Sequence, residues 1–422
     1  MKARMLEIKA GESRTEGFIK GYGIVNLLRK CGFCKEKGIE VFTVIFYLIT
    51  LVFTGRNLWR NIATNKTDMK KDTVYRFLNS PKTNWQRFLF MLAYKIYKYI
   101  RPLTNENRVD CLVLDDTLYD RSRSKNVELL ARVFDHCEHK YRKGFRALTL
   151  GWTDGATFLP VGFNLMSSQK DENILCGINE KIDKRTSGYK ARKTAVSNTL
   201  DVAENLLKDA LEYKITAKYV LMDSWFSHGC FIKKIALLKL HAVAMLKDME
   251  YQKYRCNGKD YRLSKLFCAV PKAEFTRNKN TYFATVTVEM IIDENTSVPI
   301  KITFVKAVGK KRLWLAIGST DIEIGEEEII RIYGKRWSIE TFFKVAKSDL
   351  KLAKEFQSRS FDALVAHTTI VYVRYLILAV HHREDKDGRT VGELFFAVVD
   401  EISDIKLDES LKLIVESIPN FS

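Results

Sequence analysis

Acidic residues follow two apolar segments that are far apart in this sequence. Asp115 and Asp116 come directly after the run 109-VDCLVL-114, and Asp223 comes directly after 217-AKYVLM-222. Catalytic acids favour the carboxyl ends of strands, because the sheet fixes them and the following loop leaves them open. Carboxylate oxygens are the ligands that Mg²⁺ prefers, and two or three carboxylates can hold a pair of ions. For each acid alone, the alternative is a turn former or a helix cap.

A further acid lies in the segment 333-YGKRWSIETFFKVAK-347, within a run that predicts one helix over 326–352. At roughly 100° per residue, one acid and several long polar side chains share an arc of about 60°. These residues are Tyr333, Arg336, Glu340 and Lys347, with Lys344 extending the arc slightly. A glutamate among cations stays ionised and able to bind metal, and the cations could grip phosphates. A solvated face of mixed charge is the alternative interpretation.

Hydrophobic patterning places these acids among strands and helices. Alternation predicts strands at 145–155 and 157–166, joined through the turn Asp154–Gly155, and β-like structure again from about 245 to 320. Segment 167–194 is polar and is predicted to be a loop. Helices are predicted at about 195–213, 229–240 and 361–381. The pattern predicts an α/β fold.

The first 105 residues are predicted to be mainly helical. Within 70–102, two short basic helices are separated by 79-NSPKTN-84, which suits a helix-turn-helix reader of DNA. An ordinary helical hairpin with a basic surface fits equally well. The apolar run 41–55 is shorter than the ~20 residues that span a bilayer, so we expect a buried helix there.

Composition favours a polyanionic partner. Seventy Lys plus Arg residues oppose 51 Asp plus Glu residues, which gives a formal net charge of +19; this attracts nucleic acid or an anionic membrane surface. The N-terminus shows no signal-peptide pattern, and the eight scattered cysteines suit reduced thiols. We therefore expect a cytoplasmic protein without a membrane span. The pair Cys31–Cys34 and the distant 136-HCEH-139 lack the spacing of a zinc site, so zinc is not expected.

Three blocks together resemble a known family. The spacing Y-x2-R-x3-E-x6-K, formed by Tyr333, Arg336, Glu340 and Lys347, resembles the signature of the DDE transposases of insertion-sequence family four, a cut-and-paste bacterial group. The segments 113-VLDDT-117 and 220-VLMDSWFS-227 resemble the blocks around its first and second catalytic aspartates, in the same order. The resemblance covers about residues 110–350.

This resemblance implies an RNase H-like catalytic core, with a mixed sheet flanked by helices, a β-rich insertion and a helical N-terminal domain. The implied divisions are a helical N-terminal DNA-binding domain at 1–105, the first part of the core at 106–244, the insertion at 245–325, the second part of the core with the glutamate helix at 326–385, and a C-terminal tail at 386–422.

The resemblance also implies roles for individual residues. Asp115, Asp223 and Glu340 would be the catalytic and metal-binding triad. Asp115 is preferred to Asp116 because family members place the catalytic acid before a polar pair such as Asp116–Thr117, and only one of two adjacent strand residues can face the site. Trp314 would stack on a flipped base, with a packed sheet aromatic as the alternative. The residues expected to contact DNA are Tyr333, Arg336, Lys344 and Lys347, besides Trp314.

The implied activity is metal-dependent cleavage and transfer of DNA strands, with two Mg²⁺ or Mn²⁺ ions and hairpin ends. The implied partners are double-stranded DNA, namely terminal inverted repeats and target DNA, and a second copy in a homodimer acting in trans. The protein would be bacterial and nucleoid-associated. The alternatives are a DDE-like nuclease without strand transfer and a non-catalytic DNA-binding relative.

Overall fold

The structure is a computed structural model that describes residues 13–33, 37–55, 58–63, 69–104, 108–135, 138–271, 274–278, 281–307, 314–355 and 358–384. Cys34, His136 and Cys137, on which the zinc question depends, lie outside the described residues, as does the tail 386–422.

Helices form the N-terminal part, as the sequence predicts. They are α1 (Arg14–Gly21), α2 (Ile24–Lys30), α3 (Val41–Thr50), α4 (Leu58–Ala63), α5 (Lys71–Leu78) and α6 (Trp85–Ile100). A short 3₁₀ turn, Leu51–Thr54, continues α3, and most of this apolar stretch is buried. The predicted buried helix at 41–55 is therefore confirmed, and so is the pair of helices on either side of 79–84.

Strands and helices alternate in the central part. The strands β1 (Cys111–Asp120), β2 (Ala131–Asp135), β3 (Lys140–Thr153) and β4 (Phe158–Met166) come first. They are followed by α7 (Ser187–Ala195), α8 (Thr199–Glu212), β5 (Tyr219–Met222), α9 (Gly229–Leu237) and β6 (His241–Met245).

The C-terminal part begins with strands and ends with helices. The strands are β7 (Tyr254–Cys256), β8 (Lys259–Tyr261), β9 (Thr276–Asn278), β10 (Thr281–Asp293), β11 (Thr296–Ala307) and β12 (Trp314–Ser319). The helices are α10 (Leu263–Ala269), α11 (Glu326–Gly334), α12 (Trp337–Ser348) and α13 (Phe361–Glu384).

All the described strands belong to one mixed sheet. Its order is β2-β3-β1-β5-β6-β12-β11-β10-β7-β8, with β4 paired to β3 and β9 paired to β10. Strands β1, β5 and β6 are parallel to one another, and β12 continues the sheet antiparallel to β6. The mixed α/β sheet flanked by helices agrees with an RNase H-like core. The β-rich segment after β6 extends this same sheet.

Helix α6 packs tightly on the sheet. Asn84 caps it, because its side-chain oxygen accepts a hydrogen bond from the amide of Arg87 at 2.9 Å. The apolar side of α6 contacts β4 and α13. At Gly162 of β4, an added Cβ would lie 2.5 Å from the Phe90 ring, so this close approach of helix and sheet requires glycine.

Helix α13 is the core helix of the fold. Its segment Phe361–Arg383 is long and apolar enough to cross a membrane, but that apolar window is entirely buried inside the protein. A helix that is apolar on every side is expected when all its sides are packed. Its buried Arg374 pairs with Glu355 at 2.9 Å, so the helix is held by polar contacts within the protein as well.

The prediction of one helix over 326–352 is wrong. Helix α11 ends at Gly334 and α12 begins at Trp337. The amides of Lys335 and Arg336 bond to carbonyls three residues earlier, at 3.1 and 2.9 Å, which is the tighter 3₁₀ pattern. Glycine also has low helix propensity. The shared 60° arc assumed an uninterrupted helix. Across the break, Arg336 still pairs with Glu340, and its guanidinium lies 5.8 Å from the centre of the Tyr333 ring.

Two further boundaries differ from the predictions. The strand carrying Asp115 and Asp116 does not end at these acids, because pairing with β3 continues to Asp120 opposite Gly144. The polar segment 167–194 is not all loop: α7 begins within it, capped by Thr186, and the next helix starts at Thr199. The polar composition of this segment did not predict α7. The helix is stabilised by ion pairs with other elements, which Arg192 forms with Glu128 and Asp362.

Candidate active site

The first two acids of the expected triad lie next to each other, where the parallel pairing of β1 and β5 ends. The register of β1 and β5 ends with Leu114 opposite Met222, so Asp115 is the next residue of β1 and Asp223 is the first residue after β5. Asp115 stays in β1, opposite Thr149 of β3. Asp223 leaves the sheet, and its Oδ1 accepts a hydrogen bond from the Trp225 amide at 2.9 Å. Parallel pairing therefore brings together two acids from distant parts of the sequence.

Arg336 joins the third acid to the first. Its Nη1 lies 3.0 Å from Oδ2 of Asp115, and its Nη2 makes a close ion pair with Oε1 of Glu340. Because Arg336 sits in the turn between α11 and α12, its side chain reaches the sheet while Glu340 projects from the first turn of α12. One guanidinium thus connects two carboxylates from elements that are remote in sequence.

The carboxylates of Asp115, Asp116 and Asp223 lie close together, and Asp115 is largely buried. The pKa of Asp115 is raised from 3.8 to about 7, first by burial and then by the nearby carboxylates of Asp223 and Asp116. The positive charge of Arg336 and the hydrogen bond from the Asp116 amide act in the opposite direction. Asp115 and Arg336 each expose only 15% of the side chain. A carboxylate so placed is stabilised by a nearby cation.

Asp116 has a different partner. It forms an ion pair with Arg146 of β3, and the guanidinium of Arg146 lies 4.6 Å from the centre of the Trp225 ring. Successive side chains of a strand point to opposite faces, so Asp115 and Asp116 face different surroundings. Arg146 and Trp225 were not singled out from the sequence, because only the register of β1 with β3 places Arg146 beside Asp116.

The residues expected to contact DNA differ in how far their side chains are buried. Tyr333 is half-buried with the Arg336 guanidinium 5.8 Å from its ring centre, and burial is the main cause of its raised pKa. Lys344 is exposed on α12, and Lys347 is half-buried. Tyr333 lies near the end of α11, and Lys344 and Lys347 lie on α12, the helix that carries Glu340.

Trp314 is packed within the sheet. Its ring stacks on Phe267 with centroids 4.6 Å apart and an interplanar angle of 8°, and it meets Phe304 edge-on at 5.7 Å. None of its described ring contacts is with the acids. By contrast Trp337, next to Arg336, exposes 65% of its surface. Sequence reasoning did not select Trp337, although an aromatic beside the signature arginine was a visible signal.

The donor set suits a hard divalent cation, because Asp115, Asp223 and Glu340 offer only oxygen ligands. The crowded negative charge that raises the pKa of Asp115 would be relieved by such an ion. Within the described ranges, however, no three acidic, histidine or cysteine side chains are gathered closely enough to hold a metal ion. In this conformation the cation between Asp115 and Glu340 is Arg336.

Two family models match overlapping parts of the chain. Residues 47–249 match the DDE superfamily endonuclease model, and residues 187–377 match the transposase DDE domain model. The first match includes Asp115 and the second includes Glu340, while Asp223 lies in both. A search of curated proteins found no match. The two matches support a DDE-superfamily transposase or endonuclease, and hence an enzyme of the metal-dependent nuclease type that acts on DNA.

Proposed function

We propose that this protein is a DNA transposase that binds the ends of an insertion sequence and cleaves and transfers DNA strands. The observation that carries the proposal is the meeting of Asp115 and Glu340 on one guanidinium, with Asp223 directly after the strand that pairs with β1. The order of these acids and the Y-x2-R-x3-E-x6-K spacing support membership of insertion-sequence family four.

Asp115, Asp223 and Glu340 would hold two Mg²⁺ or Mn²⁺ ions. When bound, such ions polarise the phosphodiester, activate water and stabilise the leaving oxygen. The protein's own contribution is to fix the carboxylates on a rigid sheet and on the first turn of α12. Hydrolysis of a phosphodiester at the transposon end would free a 3′-OH. This 3′-OH would attack a phosphodiester of the opposite strand to form a hairpin, with the 3′-oxygen of the flanking DNA as the leaving group. A freed 3′-OH would later attack a target phosphodiester in the same way.

Cations around the acids would position the DNA backbone. Arg336 has a planar fork of donors that matches a phosphate, and Lys344 and Lys347 follow Glu340 along α12. Tyr333 and the exposed Trp337 flank Arg336. The net charge of +19 supports a salt-sensitive hold on DNA along a larger surface. The helical pair α5 and α6 would contribute to end recognition, and a homodimer would join two ends in trans.

The decisive experiment incubates the purified protein with element-end DNA and Mg²⁺ or Mn²⁺ and maps the products on each strand. We expect nicks that leave a 3′-OH at the element end, followed by joined products. Glu340→Gln should abolish cleavage while end binding stays within about twofold, because the amide removes a ligand charge but keeps the side-chain shape. Equal loss of binding and cleavage would make Glu340 a structural residue.

A nuclease without strand transfer is the second candidate, and the match of residues 47–249 to an endonuclease model favours it. Pre-cut ends carrying a 3′-OH separate the two activities. Joining of these ends to a target plasmid supports the transposase, while cleavage of uncut ends without any joining supports the nuclease. Binding of ends without nicking would support a non-catalytic DNA-binding protein.

A further inference from the structure

Arg336 occupies a position between acids that a divalent ion would also need. It is the residue whose donors reach both Asp115 and Glu340, through Nη1 and Nη2 respectively. Asp115 is already engaged on its other oxygen, since Oδ1 accepts the Asp116 amide at 2.8 Å. The carboxylate of Asp115 therefore has both oxygens occupied by the protein itself.

A guanidinium and a divalent ion would repel each other at this place. Mg²⁺ requires carboxylate oxygens in near-ideal octahedral geometry and usually retains several waters. The Arg336 fork instead fixes Asp115 and Glu340 in an orientation that suits two N–H donors. Among the described residues, the acids are accordingly not gathered into a three-ligand group. A divalent ion that took the place of the guanidinium between Asp115 and Glu340 would therefore displace Arg336 from at least one carboxylate.

Arg336 is placed so that it could move to another anion. It lies in the turn between α11 and α12, outside both helices, and its side chain is 15% exposed. The two non-bridging oxygens of a DNA phosphate can accept both N–H groups of a guanidinium, as the two oxygens of a carboxylate do. A phosphate that binds the Arg336 guanidinium would free Asp115 and Glu340 to bind metal. The guanidinium would keep an anionic partner, so the high cost of an unpaired buried cation would be avoided.

We propose that Arg336 acts as a stand-in cation in the DNA-free protein, which holds Asp115 and Glu340 in place and competes with the divalent ion for them. Binding of a DNA phosphate by Arg336 then couples DNA engagement to metal loading. Arg336 is in this sense a positioning residue that keeps the metal site weak until DNA is present. The inference rests on the proposed function for the identity of the anion.

The test measures Mn²⁺ binding to the full chain without DNA, by electron paramagnetic resonance of free Mn²⁺. Arg336→Gln should bind Mn²⁺ about tenfold more tightly than the unmodified protein, within the usual range of coupling between sites. Arg336→Lys keeps the positive charge but loses the two-donor geometry of the guanidinium. Its affinity for Mn²⁺ should lie between those of Arg336→Gln and the unmodified protein. The matched control is Arg331→Gln on α11, whose arginine pairs with Glu328 and should leave Mn²⁺ affinity unchanged.

Two further experiments test whether Mn²⁺ binds at Asp115 and whether DNA increases the affinity for Mn²⁺. Adding Asp115→Asn to Arg336→Gln should abolish the gain in Mn²⁺ affinity. Adding a short DNA duplex should tighten Mn²⁺ binding to the unmodified protein and have little effect on Arg336→Gln. Circular dichroism checks that each variant is folded, and Arg336→Lys replaces Arg336→Gln if the latter is not.

Equal or weaker Mn²⁺ binding by the folded Arg336 variants would overturn the inference. So would a gain that persists when Asp115 is replaced. Failure of the proposed function looks different, because competition between Arg336 and Mn²⁺ would remain measurable while no DNA is cleaved or joined.

Discussion

Replacing Asp115 with asparagine is expected to stabilise the metal-free protein at alkaline pH while it abolishes cleavage. The pKa of Asp115 is raised from 3.8 to about 7 by burial and by neighbouring carboxylates. Below pH 3.8 this carboxyl is protonated in both the folded and the unfolded chain. Between these two values, the unfolded chain releases the proton and the folded chain keeps it, so folding stability falls as pH rises. Above pH 7 the cost is complete and constant.

The size of the effect follows from the shift. One pKa unit corresponds to about 1.4 kcal/mol, so the raised pKa of Asp115 lowers the folding stability by about 4 kcal/mol at pH 8 and by about 2 kcal/mol at pH 5. Asparagine carries no charge at either pH and still offers Arg336 an acceptor oxygen. The advantage of Asp115→Asn over the unmodified protein should therefore grow by about 2–3 kcal/mol between pH 5 and pH 8.

Urea unfolding with EDTA at the two pH values measures this difference. The matched control is Asp201→Asn, since the Asp201 side chain is 61% exposed and pairs with Lys234 on the surface; its effect should stay below about 1 kcal/mol at either pH. A stability difference for Asp115→Asn that is the same at pH 5 and pH 8 would refute the reasoning.

Two further predictions concern packing and buried charge. Arg374→Met should lower the free energy of unfolding by about 3–5 kcal/mol, because it leaves buried Glu355 without its counter-charge. The double variant Arg374→Met/Glu355→Met should recover only part of that loss in urea unfolding, because the carbonyls of Leu48, Ile49 and Leu350 still lack their Arg374 donor. No recovery at all would contradict the ion-pair explanation. Trp314→Ala should cost about 2–3 kcal/mol through its lost stacking on Phe267. Trp337→Ala, which removes a side chain 65% exposed, should cost less than about 0.5 kcal/mol, and equal losses would show that the packing of Trp314 against Phe267 contributes little.

Local patterns predicted the elements that depend on near neighbours. Alternation and helical spacing identified the β3–β4 hairpin, the buried helix at 41–55 and the paired helices around 79–84. They could not show that α11 and α12 are separate, because every residue from 326 to 352 except Gly334 is compatible with a helix. They also missed α7, whose buried Arg192 pairs with two acids from other elements.

The amino-acid sequence by itself determined which acids and cations are available, in the order and spacing that point to a DDE-type enzyme. Only the tertiary structure decided which of them meet. Arg336 contacts Asp115 across 221 positions of the chain, and Asp116 contacts Arg146 because β1 and β3 pair in one register. The physical reason is that side-chain periodicity is a local property, whereas sheet register and ion pairing between distant elements are set by how the whole core packs.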